Sequence, residues 1–360
     1  MVRWRAGTVA AVRRAWHGAV ELSVDVPGQD PVLALAYPEL VGTPEVGDRV
    51  LLNVGALEMG LGTGGYALVV ALPDRLPPDP PGEGTTRAGG HLVKARYTPL
   101  QVTVRGADED SSPYRAVLAG ATGLGGLPVV TADLHSALPA VLAGIRADAP
   151  RARVAYVMTD GGALPAWFSR ILDGLRGTLA GTVTVGQAFG GDLEAVTVHG
   201  GLLAARHALA ADVAVVAQGP GNLGTATAWG FSGVAVGEAV NAVAALGGRP
   251  VGALRISAAD PRPRHRGVSH HSLTAYGRVA LAPADLVVPA GLDDLLGAQL
   301  AGLASRHRLV RVATDGLDAA LRASPVPLST MGRGLDADHA YFLAHAAAGR
   351  HAAALLRQAP

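Results

Sequence analysis

Residues 211–233, ADVAVVAQGPGNLGTATAWGFSG, determine how we interpret the rest of the chain. Small and β-branched residues from Val213 onward predict a buried strand, and Gly219, Gly221 and Gly224 follow it with the spacing G-x-G-x-x-G. Glycine lets the backbone turn sharply and approach a ligand closely. The Thr- and Ala-rich residues that come next predict a helix, whose N-terminal N–H groups suit a phosphate. A tight turn whose glycines serve packing is the alternative.

This glycine loop supplies a first group of candidate ligand-binding residues. They are Gln218, Gly219, Gly221, Asn222, Gly224 and Thr225. The strand that follows, Pro250 to Ile256, ends near Arg255 and lacks the acidic residue that binds a ribose in dinucleotide-binding proteins. If Arg255 instead lies beside a 2′-phosphate, the protein is an NAD(P)-dependent oxidoreductase, and this alternative stays open.

The pattern from about residue 111 onward alternates apolar strands with helices of ten or more residues. Such alternation predicts a doubly wound, mostly parallel, Rossmann-like sheet with helices on both faces. Ligands of these sheets bind outside the carboxyl ends of the strands. Functional side chains are therefore expected at those ends.

The chain before that point has a different pattern, from which we predict the domain organisation. Residues 1–72 contain five short runs of strand residues separated by close turns, which predicts a small antiparallel β-barrel. Residues 73–90 are rich in proline and glycine and predict a linker. Residues 91–360 then form the Rossmann-like α/β domain that carries the candidate site.

Composition and charge argue against several classes of protein. A net charge of +1 gives no field that favours nucleic acid, and basic runs with interleaved aromatics are missing. The sequence contains no cysteine, so thiolate chemistry and disulfides are excluded. No apolar run reaches membrane-spanning length and the N-terminus lacks a signal-peptide pattern. We expect a cytoplasmic protein that binds a small anionic molecule, with neither nucleic acid nor a membrane as a partner.

Polar residues follow several predicted strands, where the sheet places its ligand. Asp133, His135, Asp160, Gln187 and Arg255 all lie at such junctions. Asp133, His135 and Asp160 are candidates for acid–base chemistry, and Gln187 and Arg255 for ligand binding. Each also has a structural interpretation, as a turn former or a hydrogen-bonded core residue.

The densest cluster of charge is residues 260–272, DPRPRHRGVSHHS. Arg264 and Arg266 suit phosphate or carboxylate, and His265 and His270 suit general acid or base catalysis. If the backbone is extended here, adjacent histidines point to opposite sides, so only one of His270 and His271 faces the site. A solvated basic loop is the alternative.

Some of these residues are candidate metal ligands, and one further arginine is a candidate for ligand binding. His265, one histidine of the adjacent pair, Asp133, His135 and Asp160 would be the metal ligands, but no H-x-H or H-E-x-x-H spacing supports them, so metal and cofactor are left unknown. Arg333, in Thr330-Met-Gly-Arg333, is a candidate ligand-binding residue that folds back over the site.

Several segments together resemble a known family. They are Asp160-Gly-Gly-Ala-Leu-Pro165, Gly186-Gln-Ala-Phe-Gly-Gly-Asp192, Gly219-Pro-Gly-Asn-Leu-Gly-Thr225, Arg264-His-Arg-Gly-Val-Ser-His-His-Ser272 and Thr330-Met-Gly-Arg333. This set resembles a bacterial family classified as domain of unknown function number 3866, over nearly the whole chain. The resemblance implies no activity, substrate or catalytic residue.

The residues therefore predict an enzyme that binds a phosphate- or carboxylate-bearing small molecule, with a nucleotide as one candidate and hydrolysis or group transfer slightly favoured. The glycine loop and the arginines would hold the anion, and histidine and aspartate would move the proton. A non-catalytic nucleotide sensor or scaffold is the other alternative. Assembly into a homo-oligomer is left open.

Overall fold

The computed structural model describes residues 2–62, 64–78 and 90–357, without the side chains of residues 293, 294 and 297. The chain forms two compact units, Met1–Val104 with Trp167–Asp173, and Arg105–Ala166 with Gly174–Pro360. The domain limits expected from the sequence stay a prediction, and residues 79–89 of the expected linker lie outside the described residues.

The first unit is built on a closed five-stranded barrel with the strand order β1-β2-β3-β5-β4. Its strands are β1 (Trp4–Trp16), β2 (Ala19–Asp25), β3 (Val32–Ala36), β4 (Arg49–Asn53) and β5 (Ala67–Ala71). All neighbours pair antiparallel except β3 and β5, which are parallel. The predicted barrel is confirmed, with this one parallel pair as a correction to its antiparallel description. Leu22 and Val24 alternate with more exposed residues and fill the interior, as half-buried strands require.

Two short helices and a hairpin complete this unit. They are α1 (Pro38–Val41), α2 (Gly55–Glu58), and the antiparallel pair β6 (Leu92–Lys94) and β7 (Val102–Val104).

The second unit contains an eight-stranded sheet with the order β11-β10-β9-β12-β8-β13-β16-β17, in which every neighbouring pair is parallel. The sheet strands and the minor strands of the unit are β8 (Pro128–Thr131), β9 (Val154–Thr159), β10 (Gly181–Thr184), β11 (Leu193–Glu194), β12 (Val213–Gln218), β13 (Arg249–Ala253), β14 (Ile256–Ser257), β15 (Gly267–Val268), β16 (Asp285–Pro289), β17 (Arg308–Val312), β18 (Ser329–Thr330) and β19 (Arg333–Gly334). The central strands are apolar along their length because both faces of the sheet are covered. The Rossmann-like prediction is confirmed.

The helices that follow the first unit's hairpin include those that cover the two faces of this sheet. They are α3 (Arg115–Ala119), α4 (Leu138–Asp148), α5 (Arg170–Gly174), which belongs to the first unit except for Gly174, α6 (Val198–Leu203), α7 (Ala235–Ala245), α8 (His270–Thr274), α9 (Asp293–Leu296), α10 (Ala301–Ala304), α11 (Leu317–Arg322) and α12 (His339–Leu356). One face carries α4, α11 and α12, which pack against each other, and the other carries α6 and α7. In the described part of the chain, no helix is long and apolar enough to cross a membrane.

The packing of α4 on α12 depends on two glycines. A Cβ on Gly144 would overlap the backbone oxygen of Ala346, and one on Gly349 would overlap that of Val141. The alanine-rich α12 is buried along nearly its whole length. Small side chains therefore let these two helices approach until their backbones touch, which closes one face of the sheet.

Candidate functional site

Three neighbouring strands in the middle of the sheet deliver the residues of the candidate site. Asp133 follows β8, Gln218 is the last residue of β12, and Arg255 follows β13. Because these strands are parallel, their carboxyl ends meet at one edge. The Gln218 side chain donates from Nε2 to the backbone oxygen of Asp133 at 2.9 Å, which fixes the turn after β8.

Asp133 is the centre of a buried group of charged residues. Its Oδ2 accepts hydrogen bonds from Arg255 at 3.1 Å and from His271 Nδ1 at 2.9 Å, and all three side chains are at most 8% exposed. Burial alone would raise the pKa of Asp133, but the His271 hydrogen bond and the charge of Arg255 together lower it. Asp133 therefore carries its negative charge inside the protein.

This arrangement also selects the tautomer of His271. Arg255 can only donate, so the acceptor for His271 Nδ1–H is the Asp133 carboxylate. Nε2, the other ring nitrogen, makes no hydrogen bond within the described residues. Phe231 stacks on the ring at 3.8 Å between centroids, with 2° between the planes, and fixes its orientation.

His265 and His270 lie beside His271 and complete a histidine cluster. The three ring centroids are 4.5–5.0 Å apart. His265 Nδ1 lies 2.7 Å from Ser269 Oγ, and His270 Nε2 is buried without a hydrogen-bond partner among the described residues. Burial, with nearby positive charge, lowers the pKa of His265 to about 3 and of His270 to about 4. Both imidazoles are therefore neutral at pH 7.

The cluster corrects the expectation that only one histidine of the adjacent pair faces the site. His270 and His271 begin α8 rather than an extended segment, and Ser269 caps that helix by accepting from the His271 backbone N–H. Consecutive helical residues are separated by about 100° around the axis, not by the 180° of a strand. Both rings can therefore reach the same place. A serine before the pair was the available signal for a helix start.

Several predicted ligand-binding arginines are held by carboxylates instead. Asp260 is fully buried and binds Arg262 at 2.8 Å and Arg333 at 3.2 Å, and its Oδ2 lies 3.9 Å from Arg255. Arg333 also binds Asp338 at 3.0 Å. These contacts fold the segment of Arg333 back toward the 260–272 segment, as expected, but the guanidinium groups of Arg255 and Arg333 already have acidic partners.

Arg264 and Arg266 are different, because both are exposed and neither side chain has an ion pair among the residues that the structure describes. They flank the buried His265, and the charge of Arg264 contributes to lowering the pKa of His270. These two arginines thus remain available for an anionic ligand next to the histidine cluster.

The glycine loop differs from its prediction. No helix follows Gly224 directly; residues 219–231 form an irregular loop closed by a bridge between Gly224 and Phe231, and α7 begins only at Ala235. Thr225 is hydrogen-bonded within this loop, to the Gly230 oxygen and the Thr227 hydroxyl. The Thr-Ala residues are therefore part of the loop. The first helical N–H groups lie farther from the glycines than the G-x-G-x-x-G pattern requires.

The glycine loop nevertheless meets the 260–272 segment. Asn222 Nδ2 lies 3.3 Å from His271 Nδ1, and Asn222 Oδ1 accepts from Ser232 at 2.7 Å. Gly221 has φ +89°, which only glycine adopts without strain, so the turn that brings Asn222 inward depends on it. The two segments thus lie at the same edge of the sheet.

The remaining candidates have partners of their own. Asp160 is exposed and accepts from the Gln187 backbone N–H at 2.8 Å, so these two residues shape the turn after β10. His135 is buried, its Nδ1 lies 3.0 Å from Tyr156 Oη, and desolvation lowers its pKa to about 4. These hydrogen bonds are those of a turn and of a core residue.

A small hollow adjoins the buried carboxylate. Asp133, Gln218, Ser232 and Gly233 contribute to its lining, and it has room for about one water molecule. Asp133 Oδ1 and Gln218 Oε1 are both buried, and neither has a hydrogen-bond partner in the described ranges of the chain. Two acceptors facing one hollow suit a bridging water.

The site and the parallel sheet place the protein among α/β proteins with a polar centre at the carboxyl edge of the strands. The chain belongs to the family DUF3866, described as a protein of unknown function, whose family model matches residues 33–349. This match confirms the resemblance found in the sequence. No curated protein and no solved structure matches the chain.

Proposed function

We propose that this protein is an enzyme that binds a small phosphate- or carboxylate-bearing molecule, with a nucleotide as one candidate, and moves a proton at the histidine cluster. The observation that carries the proposal is the buried hydrogen bond of 2.9 Å between Asp133 and His271 Nδ1, with two further imidazoles within 5.0 Å of the His271 ring. A carboxylate that holds one imidazole nitrogen orients the other for proton transfer. The proposal places this chemistry in the cytoplasm.

Charge around the cluster supports an anionic ligand. Arg264 and Arg266 are exposed, flank His265 and have no ion pair within the described part of the chain. Asn222, held by Ser232, offers an amide beside His271. Arginine binds phosphate and carboxylate through paired donors, so these side chains suit the same class of ligand.

The oxidoreductase alternative has less support. It requires Arg255 to bind a 2′-phosphate, but the Arg255 side chain is 3% exposed and is paired with Asp133. Moving it to a ligand would leave the buried Asp133 carboxylate without its cation, which is energetically costly.

The test is a thermal-shift screen of phosphorylated and carboxylated metabolites against wild-type protein and the double variant Arg264→Gln/Arg266→Gln. We expect one or more compounds to raise the Tm of the wild type and not that of the double variant, whereas Arg151→Gln, at an exposed arginine elsewhere, responds like the wild type. If no compound distinguishes the wild type from the double variant, the anion site is wrong.

Turnover of a compound found in this way separates an enzyme from a sensor. His271→Gln is expected to bind the compound and to lower kcat by about 10²–10⁴-fold, the usual contribution of a positioned acid or base. Binding with no conversion by the wild type would instead indicate the non-catalytic alternative.

A further inference from the structure

We propose that His265, His270 and His271 bind one divalent transition-metal ion, for which Zn²⁺ is the best fit. Each residue offers one ligand atom, and the three atoms lie within 4.8 Å of one another. This inference deepens the proposed function, and the catalytic role of the metal rests on that function. With a metal bound, His271 Nε2 would be a ligand rather than the proton carrier, and the metal would supply the acid–base chemistry at the cluster. The binding itself is measured without a substrate.

The distances between the three ligand atoms are compatible with a metal centre. Zinc binds imidazole nitrogen at 2.0–2.1 Å with tetrahedral geometry, which separates neighbouring nitrogens by about 3.4 Å. The observed separations of up to 4.8 Å therefore close with side-chain movements of about 1 Å. Movements of this size do not require a change in the backbone of α8.

The contacts behind the rings support the proposal independently. His271 Nδ1–H donates to Asp133, and His265 Nδ1 is paired with Ser269 Oγ, so Nε2 of both rings is left for a ligand. Metal-binding histidines are typically held in this way, through the nitrogen that does not bind the metal. Within the part of the chain that the structure describes, His270 Nε2 is buried with no hydrogen-bond partner, which is costly unless a ligand binds it.

The donor set selects the metal. Three imidazole nitrogens suit Zn²⁺, Cu²⁺, Ni²⁺ or Fe²⁺ better than Mg²⁺ or Ca²⁺, which prefer oxygen. Three histidine ligands leave a fourth position open, as in catalytic rather than structural zinc centres. Arg255 lies on the Nδ1 side of His271, and its charge is balanced by Asp133 and Asp260.

The test measures metal binding to the full chain, purified without a histidine tag and stripped with a chelator. Zn²⁺ affinity is determined by competition with a chromophoric chelator, and Co²⁺ is added to record the visible spectrum of the site. Because the chain has no cysteine, a thiolate cannot contribute to either signal. We expect one equivalent per chain and a tetrahedral Co²⁺ spectrum with no sulfur-to-metal band.

Variants assign the ligands. His265→Ala, His270→Asn and His271→Ala should each weaken Zn²⁺ binding at least tenfold, and Asp133→Asn, which changes a positioning residue, by about 10–100-fold. His199→Ala, at an exposed histidine elsewhere, should bind like the wild type. His270 is the least buried of the three, so His270→Asn keeps the test valid if the other variants do not fold.

Two results would overturn the proposal: no stoichiometric metal in the wild type, or unchanged affinity in a folded His270→Asn variant. The outcome is separate from that of the anion screen. Metal binding without any anionic ligand would contradict the proposed function and support the metal site. Binding of an anionic ligand without metal binding would support the anion site and contradict the metal site.

Discussion

The buried ion pair between Asp133 and Arg255 leads to a quantitative prediction for the stability of the second unit. Asp133→Asn keeps the size of the side chain and removes its charge. The Arg255 guanidinium, which is only 3% exposed, then loses the carboxylate that neutralises it. The nearest remaining carboxylate, Asp260, is 3.9 Å away and also neutralises Arg262. Removing one partner of a buried ion pair costs about 3–5 kcal/mol, so we expect a loss of that size in the free energy of unfolding.

The assay must report on the second unit alone, because a chain with two compact units need not unfold in one step. Hydrogen exchange followed by mass spectrometry, across a urea series, gives the stability of peptides from β8 and α8 separately from those of the barrel. Asp74→Asn, at an exposed partner of Arg49 in the first unit, is the matched control and should leave those peptides unchanged.

A double-mutant cycle tests the cause. Asp133→Leu and Arg255→Met should each destabilise the unit, and the double variant should lose less than the sum, because well-packed apolar residues often replace a buried ion pair without cost. A loss below about 1 kcal/mol in Asp133→Asn, which is typical of exposed ion pairs, would refute the reasoning, as would simple additivity in the cycle.

Three further predictions concern packing and pH. Gly144→Ala should lower the free energy of unfolding by about 1–3 kcal/mol because its Cβ would overlap the Ala346 backbone. Gly302→Ala, with open space around it, should be neutral or slightly stabilising. Both are measured by hydrogen exchange across the urea series. His345 is fully buried and desolvation lowers its pKa to about 4, so the unfolded chain takes up this proton first. This one group should lower stability by up to about 1.4 kcal/mol per pH unit from pH 6.5 to 4, and His345→Gln should reduce the measured slope by that amount, while the other buried histidines keep their share. The pKa of Asp285 is lowered, because hydrogen bonds from His351 and Arg308 outweigh the effect of burial. The contribution of Asp285 to the free energy of unfolding is therefore present above about pH 4 and lost below it. Asp285→Asn should make stability depend less on pH below about pH 4, and an unchanged pH dependence there would contradict this reasoning.

Part of the candidate site could be predicted because it depends on strand ends. Residues that follow parallel strands reach one edge of a sheet whatever the details of packing, so Asp133, Gln218 and Arg255 were recognisable from their positions. Their partners were not, because Asp133 and His271 are 138 residues apart and no local pattern connects them. The sequence alone therefore predicts that Arg255 binds a ligand, whereas the structure pairs it with Asp133.

The α/β class, the barrel and the course of the sheet strands follow from the sequence alone, since hydrophobic periodicity and turn residues are local properties of the chain. Tertiary structure decided the rest. The segment after Gly224 has helical composition but pairs with Phe231 as a loop, and the two adjacent histidines begin a helix that turns both rings toward His265. The physical reason is that contacts between distant segments, through buried hydrogen bonds and ring packing, outweigh the small free energies of local propensity.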